Sequence, residues 1–257
     1  IKKEETKALD LIHQVLVSHP DHIKALSMAG RIYQQQNKLE EAVVVYEKVL
    51  QRRPADQGTY LVLGRIYWNT NRFSDAERVF ELMTDQLPES YAAYYFYGKA
   101  LAAQGKLDMA EKALLKSLQL EPSLEEPRFE LLKIYQSQNQ HQKTTHVYQS
   151  ILTNNPDNID AAFGLAEHYR KIKKPEASLE ILKELGRRID SDATVVATLF
   201  ERYLETKRFE EASWVISGML NTAEHDSDLH YMAGIACNGI DQDDQALSHM
   251  LKVRPGS

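Results

Sequence analysis

The chain has 257 residues, 43% of them hydrophobic and 26% charged, with a formal net charge of −6. That balance weighs against a nucleic-acid partner, which a basic face would favour, and the single cysteine, Cys237, excludes an internal disulfide. No apolar run approaches the length of a membrane span.

Residues 1–18 read as one amphipathic helix, with Ala8, Leu9, Ile12, Val15 and Leu16 on one face. Marks then recur every 34 residues: Gly30, Gly64 and Gly98; Tyr33 and Tyr67; Ala8, Ala42, Ala76 and Ala110; Tyr46, Phe80 and Leu114. Pro20, Pro54, Pro88, Pro122 and Pro156 share the period, and each stops a helix, because proline lacks the N–H and clashes with the preceding turn. Candidate N-caps follow at Asp21, Asp56, Ser90, Ser123 and Asp157, with Ser123 and Glu126 spaced as a capping box. Asp192 and Asp226 keep the cap where the proline has become Asp190 or Glu224. Between the helices of each unit stands Asn37, Asn71, Gly105 or Asn139, residues that tolerate the left-handed conformation; Lys173 and Lys207 hold that place later, and Pro175 suits a first turn.

The pattern divides the chain into a lone second helix (1–22), six units (23–226) and a decayed unit (227–257), in one continuous solenoid. The open first helix is expected to leave an apolar face that could pair molecules end to end. Wider helix spacing is expected at Phe200, which replaces the small residue. Tyr33, Tyr67, Tyr135, Tyr169 and Tyr203 read as core, and Cys237 as a small buried residue. In the last unit Asp243 replaces an apolar residue and Pro255 comes early, ahead of Gly256 and Ser257, so that unit reads as a polar cap or as a place where more chain followed. Opening on Ile1, the chain reads as an excised piece.

A fixed period of this length with small, aromatic and proline marks resembles the tetratricopeptide repeat. The resemblance implies an all-α, right-handed superhelical solenoid of antiparallel helix pairs, in which Gly30, Gly64 and Gly98 face Ala42, Ala76 and Ala110. It also implies a concave groove lined by the second, fifth, ninth and twelfth positions of each first helix. The ninth positions are Arg31, Arg65, Lys99, Lys133, Glu167, Glu201 and Ile235; the fifth are Ser27, Leu61, Tyr95, Phe129, Phe163, Ala197 and Tyr231; Trp68 is a twelfth. A basic ladder thus lies beside an aromatic cluster, and the groove turns acidic toward Glu201 and Glu205. Such a surface suits a protein or peptide segment with acidic groups and apolar anchors.

The sixth positions are Met28, Val62, Phe96, Glu130, Gly164, Thr198 and Met232. They carry neither the basic and asparagine set of the chaperone adaptors' carboxylate clamp nor the asparagine ladder of the O-linked N-acetylglucosamine transferase arm.

No chemistry is legible: there is no glycine-rich phosphate loop, no nucleophile elbow, and His141/His146 and His225/His230 are spaced wrongly for one helix face. The expectation is a non-enzymatic scaffold or adaptor with no cofactor and no metal. The alternative is the repeat arm of a larger enzyme or cell-envelope assembly or export machine.

Overall fold

The computed structural model describes residues 2–174, 176–178, 180–181, 184, 200–201, 203–204, 207–220 and 226–253. Every regular element among them is a helix: α1 (Lys2–Ser18), α2 (Ile23–Gln35), α3 (Leu39–Arg52), α4 (Gln57–Asn69), α5 (Phe73–Gln86), α6 (Tyr91–Ala103), α7 (Leu107–Leu120), α8 (Glu126–Ser137), α9 (His141–Asn154), α10 (Ile159–Lys171), α11 (Phe209–Leu220), α12 (Ser227–Gly239) and α13 (Asp243–Met250). None is long and apolar enough to cross a membrane. The chain forms two compact units, Ile1–Gln138 and Asn139–Ser257.

In the first unit each helix packs on the next in sequence from α1 to α8, as a stack of pairs requires. Asn37, Asn71 and Gly105 close α2, α4 and α6 in the left-handed region, at φ of 57°, 58° and 75°. A glycine costs nothing there, and asparagine little. Leu9 and Ile12 of α1 pack on Ala25 and Ala29 of α2, while Leu11, Val15 and Val17 are exposed. The central core joins Tyr46, Tyr60, Leu63, Tyr67, Phe80 and Met83.

The glycines act differently from the expectation. A Cβ on Gly30 would run into the Tyr46 ring, and one on Gly64 would overlap Phe80, at 2.0 Å from its Cζ. At Gly30 and Gly64 the missing side chain therefore admits a ring from the second helix, while Gly98 meets Leu114 and the backbone of Ala110. Ala42, Ala76 and Ala110 are fully buried, so small residues still govern the approach of the helices.

The caps depart by a residue at two places. Asp56 and Ser90 accept from the N–H groups of Thr59 and Ala93 as expected. At α2 the cap is His22, whose Nδ1 accepts from Ala25, and Asp21 pairs instead with Arg52 at 2.8 Å. At α10 the cap is Asn158, accepting from Ala161, one residue beyond Asp157. The capping box at Ser123 does not form: Ser123 Oγ donates to Glu121 at 2.7 Å, Glu125 occupies the cap position without capping the helix through its side chain, and Pro127 sits in the first turn. The buried Arg128 ties this entry instead, donating to the carbonyls of Pro122 and Leu124.

In the second unit α9 packs on α10, α11 on α12, and α12 on α13. Asn139, Lys173, Lys207 and Asp241 take left-handed φ of 54°, 59°, 55° and 57°. Asp226 caps α12 through Asp228 and Leu229. The core gathers Phe163, Phe200, Tyr203, Ile216, Leu229 and Ala233, and Cys237 is buried. Of the tyrosines assigned to the core, Tyr67, Tyr135 and Tyr203 are buried, whereas Tyr33 and Tyr169 are half-buried. The expectations for Pro175, Asp190, Asp192, Ala197, Thr198, Glu205, Glu224, His225, Pro255, Gly256 and Ser257, and for the helix spacing around Phe200, lie outside the described residues.

Two histidines here make stability depend on pH. Burial lowers the pKa of His168, whose Nε2 lies 3.1 Å from the His141 carbonyl. Burial, then the neighbouring His230, lowers that of His249, and the two Nδ1 atoms stand 3.0 Å apart. A hydrogen bond between two Nδ1 atoms needs one bare nitrogen, so a proton added to the acceptor leaves two donors facing each other. A histidine whose folded pKa is depressed contributes stability that is present above its unfolded value, about 6.5, and lost as pH falls below it toward the folded pKa. Residues 39–138 contain no histidine. On going from pH 7.5 to 5.5, amide exchange corrected for intrinsic rate is expected to accelerate in α10, α12 and α13 and not in α4–α7. A uniform response along the chain would contradict this.

Candidate functional site

The first helices α2, α4, α6 and α8 carry the basic ladder of the first unit. Arg31, Arg65 and Lys133 are exposed and Lys99 is half-exposed. Arg31 and Arg65 both act on the Tyr46 hydroxyl, which donates to Gln34 at 2.9 Å: burial raises its pKa, and the two guanidinium groups oppose the rise.

Between α4 and α6 lies a cavity of about 320 Å3. Its walls are Leu61, Val62 and Trp68 of α4, Phe96 of α6 and the Phe80 ring reaching through at Gly64. Phe96 stacks on Phe80 with centroids 5.3 Å apart, and Tyr95 meets Phe96 edge-on at 4.9 Å. The charged groups of the lining are Arg65 and Lys99. Lys99 Nζ stands 5.2 Å from the Trp68 ring centroid and 6.0 Å from that of Tyr95, within cation–π range. Among the described residues neither Arg65 nor Lys99 makes an ion pair.

A second cavity, about 330 Å3, adjoins the first and shares Trp68 and Lys99 with it. Its far side is Glu130, Lys133, Ile134 and Ser137 of α8. Lys133 is paired with Glu130 at 3.0 Å, so the fourth rung of the ladder is partly neutralised. Tyr95 lies at this change of sign: burial first, then Glu130 and Glu126, raises its pKa. Phe129, also on α8, is half-buried.

The remaining site candidates belong to the second unit. Phe163 was expected to be an apolar anchor open to a ligand; the structure corrects this. It is 8% exposed and packs on Tyr203 with centroids 5.7 Å apart, in the core. Glu167 was expected to supply free acidic charge, but it pairs with Arg170 and with Arg208. Glu201 is exposed.

Sequence reasoning missed Arg208, which is buried, bonds Glu167 and Glu211, and lies 5.6 Å from the Tyr203 centroid. Its counterpart four periods earlier, Arg72, bonds Asp75 and sits 4.6 Å from the Tyr67 centroid. The shared spacing of tyrosine, arginine and acid was the available signal. The walls Val62, Phe80 and Phe96 were also read without a binding role. A glycine opposite a large ring is the signal that would have found them.

Comparison with known proteins gives the architecture a name. Two family models, each described as a tetratricopeptide repeat, match residues 35–90 and 91–124. A comparison with curated protein sequences finds no match. Among solved structures, MamA is similar at 21% identity with a TM-score of 0.58, covering 67% of this chain and 94% of its own. YrrB, described as a tetratricopeptide repeat protein with an unusual peptide-binding site, is similar at 18% identity and TM-score 0.54, covering 72% and 94%. A tetratricopeptide repeat protein from Parabacteroides merdae has 14% identity and TM-score 0.53, covering 92% and 94%. These likenesses establish the fold. Proteins of this family are generally non-enzymatic and act by holding other proteins. Residues 35–124 match the tetratricopeptide repeat, a repeat that generally serves as a protein-interaction scaffold, and the helix pairs of the chain share its all-α solenoid fold.

Proposed function

We propose that the first unit binds an extended, acidic protein segment along the face made by α2, α4, α6 and α8. One observation carries the reading: in a chain of net charge −6, Arg65 and Lys99 stand without ionic partners among the described residues, on the rim of an apolar cavity. Unpaired cations over apolar walls offer steering and anchoring together. The peptide binding that names YrrB is a precedent for this use of the fold.

The test is selection of displayed random peptides on the intact chain and on a variant carrying Arg65→Glu and Lys99→Glu. Both positions are at least partly exposed, so the helical circular dichroism of the variant should match the parent. Acidic peptides should be enriched on the parent and lost on the variant, and raising salt from 0.1 to 0.5 M should thin the enrichment, because exposed charges are screened beyond about 10 Å at 0.1 M. The same acidic peptides emerging from both proteins would contradict the proposal.

A further inference from the structure

Resting on that reading, we infer that the cavity between α4 and α6 is a specificity pocket. It takes one large apolar side chain from a segment that also carries two acidic residues, three positions apart, held by Arg65 and Lys99.

The lining selects the anchor. Leu61, Val62, Trp68, Phe80 and Phe96 present rings and branched chains, with charge confined to Arg65 and Lys99. The Phe80 ring forms the floor because residue 64 is glycine; any Cβ there would displace that ring. A cavity of about 320 Å3 is at the small end of ligand pockets, about 300–1,000 Å3, which suits one side chain with its flanking backbone.

The rim selects the charge. Lys99 is positioned by the faces of Trp68 and Tyr95, so a carboxylate meets an ammonium already held in place and loses less freedom on pairing. Arg65 and Lys99 hold the same position on successive first helices. The helices that carry them flank one cavity, so the two positions stand on the order of 10 Å apart, at or just above the spacing of directly packed helices. A polyproline-II segment advances about 3.1 Å per residue with three residues per turn, so side chains three apart share one side at about 9 Å. The reach of two carboxylates three positions apart therefore matches the two cations.

The adjoining cavity sets a limit. Past Lys99 the segment meets Glu130, whose partner Lys133 is already engaged. An acidic residue at that place faces like charge, so the segment reads acidic, apolar, any residue, acidic, and then non-acidic toward α8.

The chain has two tryptophans, Trp68 in the pocket and Trp214 on α11. In the full chain with Trp214→Phe, emission therefore reports on Trp68. The probes are capped Ser-Gly peptides carrying Glu-Phe-Ser-Glu, Glu-Ala-Ser-Glu or Gln-Phe-Ser-Gln. The first is expected to change Trp68 emission saturably. Replacing its Phe by Ala should weaken binding about tenfold or more at any salt, from the burial of one aromatic side chain. Replacing both acids should weaken it at low salt, with the difference closing near 1 M. Equal binding of the Phe and Ala peptides, or no saturable response to Glu-Phe-Ser-Glu at millimolar concentration, would overturn the pocket assignment. The groove reading fails by a different result, the retention of selected acidic peptides by the Arg65→Glu, Lys99→Glu variant.

Discussion

Phe80→Ala is expected to destabilise the first unit by about 3–5 kcal/mol, the range for deleting a buried aromatic side chain. Phe80 is 3% exposed, fills the space left by Gly64, and stacks on Phe96 of the following helix pair. Its removal leaves a void touching three helices, α4, α5 and α6, and the repeat cannot close it without shifting a neighbouring pair. The same ring lines the α4–α6 cavity, so the variant should also bind acidic segments more weakly than Arg65 and Lys99 alone would dictate. Denaturant unfolding followed by Trp68 emission, in the Trp214→Phe background, measures the first effect. A shift below 1 kcal/mol would mean that Phe80 is not the keystone of this repeat.

The second large effect falls in the other unit. Arg208→Ala should cost about 3 kcal/mol, at the low end of the range for breaking a buried ion pair by removing one partner. Arg208 is 3% exposed at its side chain, while Glu167 and Glu211 are 31% and 22% exposed, so water relieves part of the charge left behind. The stem and guanidinium also cover Tyr203 and Phe163, and that contact goes with the charge. Adding Glu167→Gln and Glu211→Gln to an Arg208→Met variant removes the orphaned carboxylates and keeps most of the volume. Urea unfolding should show that triple variant to be more stable than Arg208→Ala. If it is no better, the cost lies in packing and not in the uncompensated acids.

The repeat frame was readable because each unit needs the same backbone solutions. Through the earlier units proline stops a helix and asparagine or glycine closes one at a fixed period; Lys173, Lys207 and Asp241 take the same left-handed place later. Depth was less readable. A fifth position was expected to face the groove, but whether it is open depends on what crosses over it. Phe163 is covered by the Arg208 guanidinium and by Tyr203, which lie far along the sequence. Tyr95 is met by Lys99 and Phe96 of its own helix and stays half-exposed. Cap positions slipped by one where two capping residues are adjacent, as at Asp21 and His22 or Asp157 and Asn158. The entry to α8 was misread because Arg128, a charged residue in a helix, turned inward to bond two carbonyls. The basic ladder was legible as charge, but the pairing of Lys133 with Glu130 was not read from the sequence, and that pairing takes the fourth rung out of the set of free cations.

The central claim is that the α4–α6 face of the first unit is where a partner segment sits. Amide hydrogen exchange on the intact protein, with and without a selected acidic peptide at saturating concentration, tests it most directly. The account predicts slower exchange in α4 and α6, a smaller change in α8, and none in α3, α5 and α7 or in the second unit. Protection concentrated in α9–α13, or on the second helices of the first unit, would contradict it.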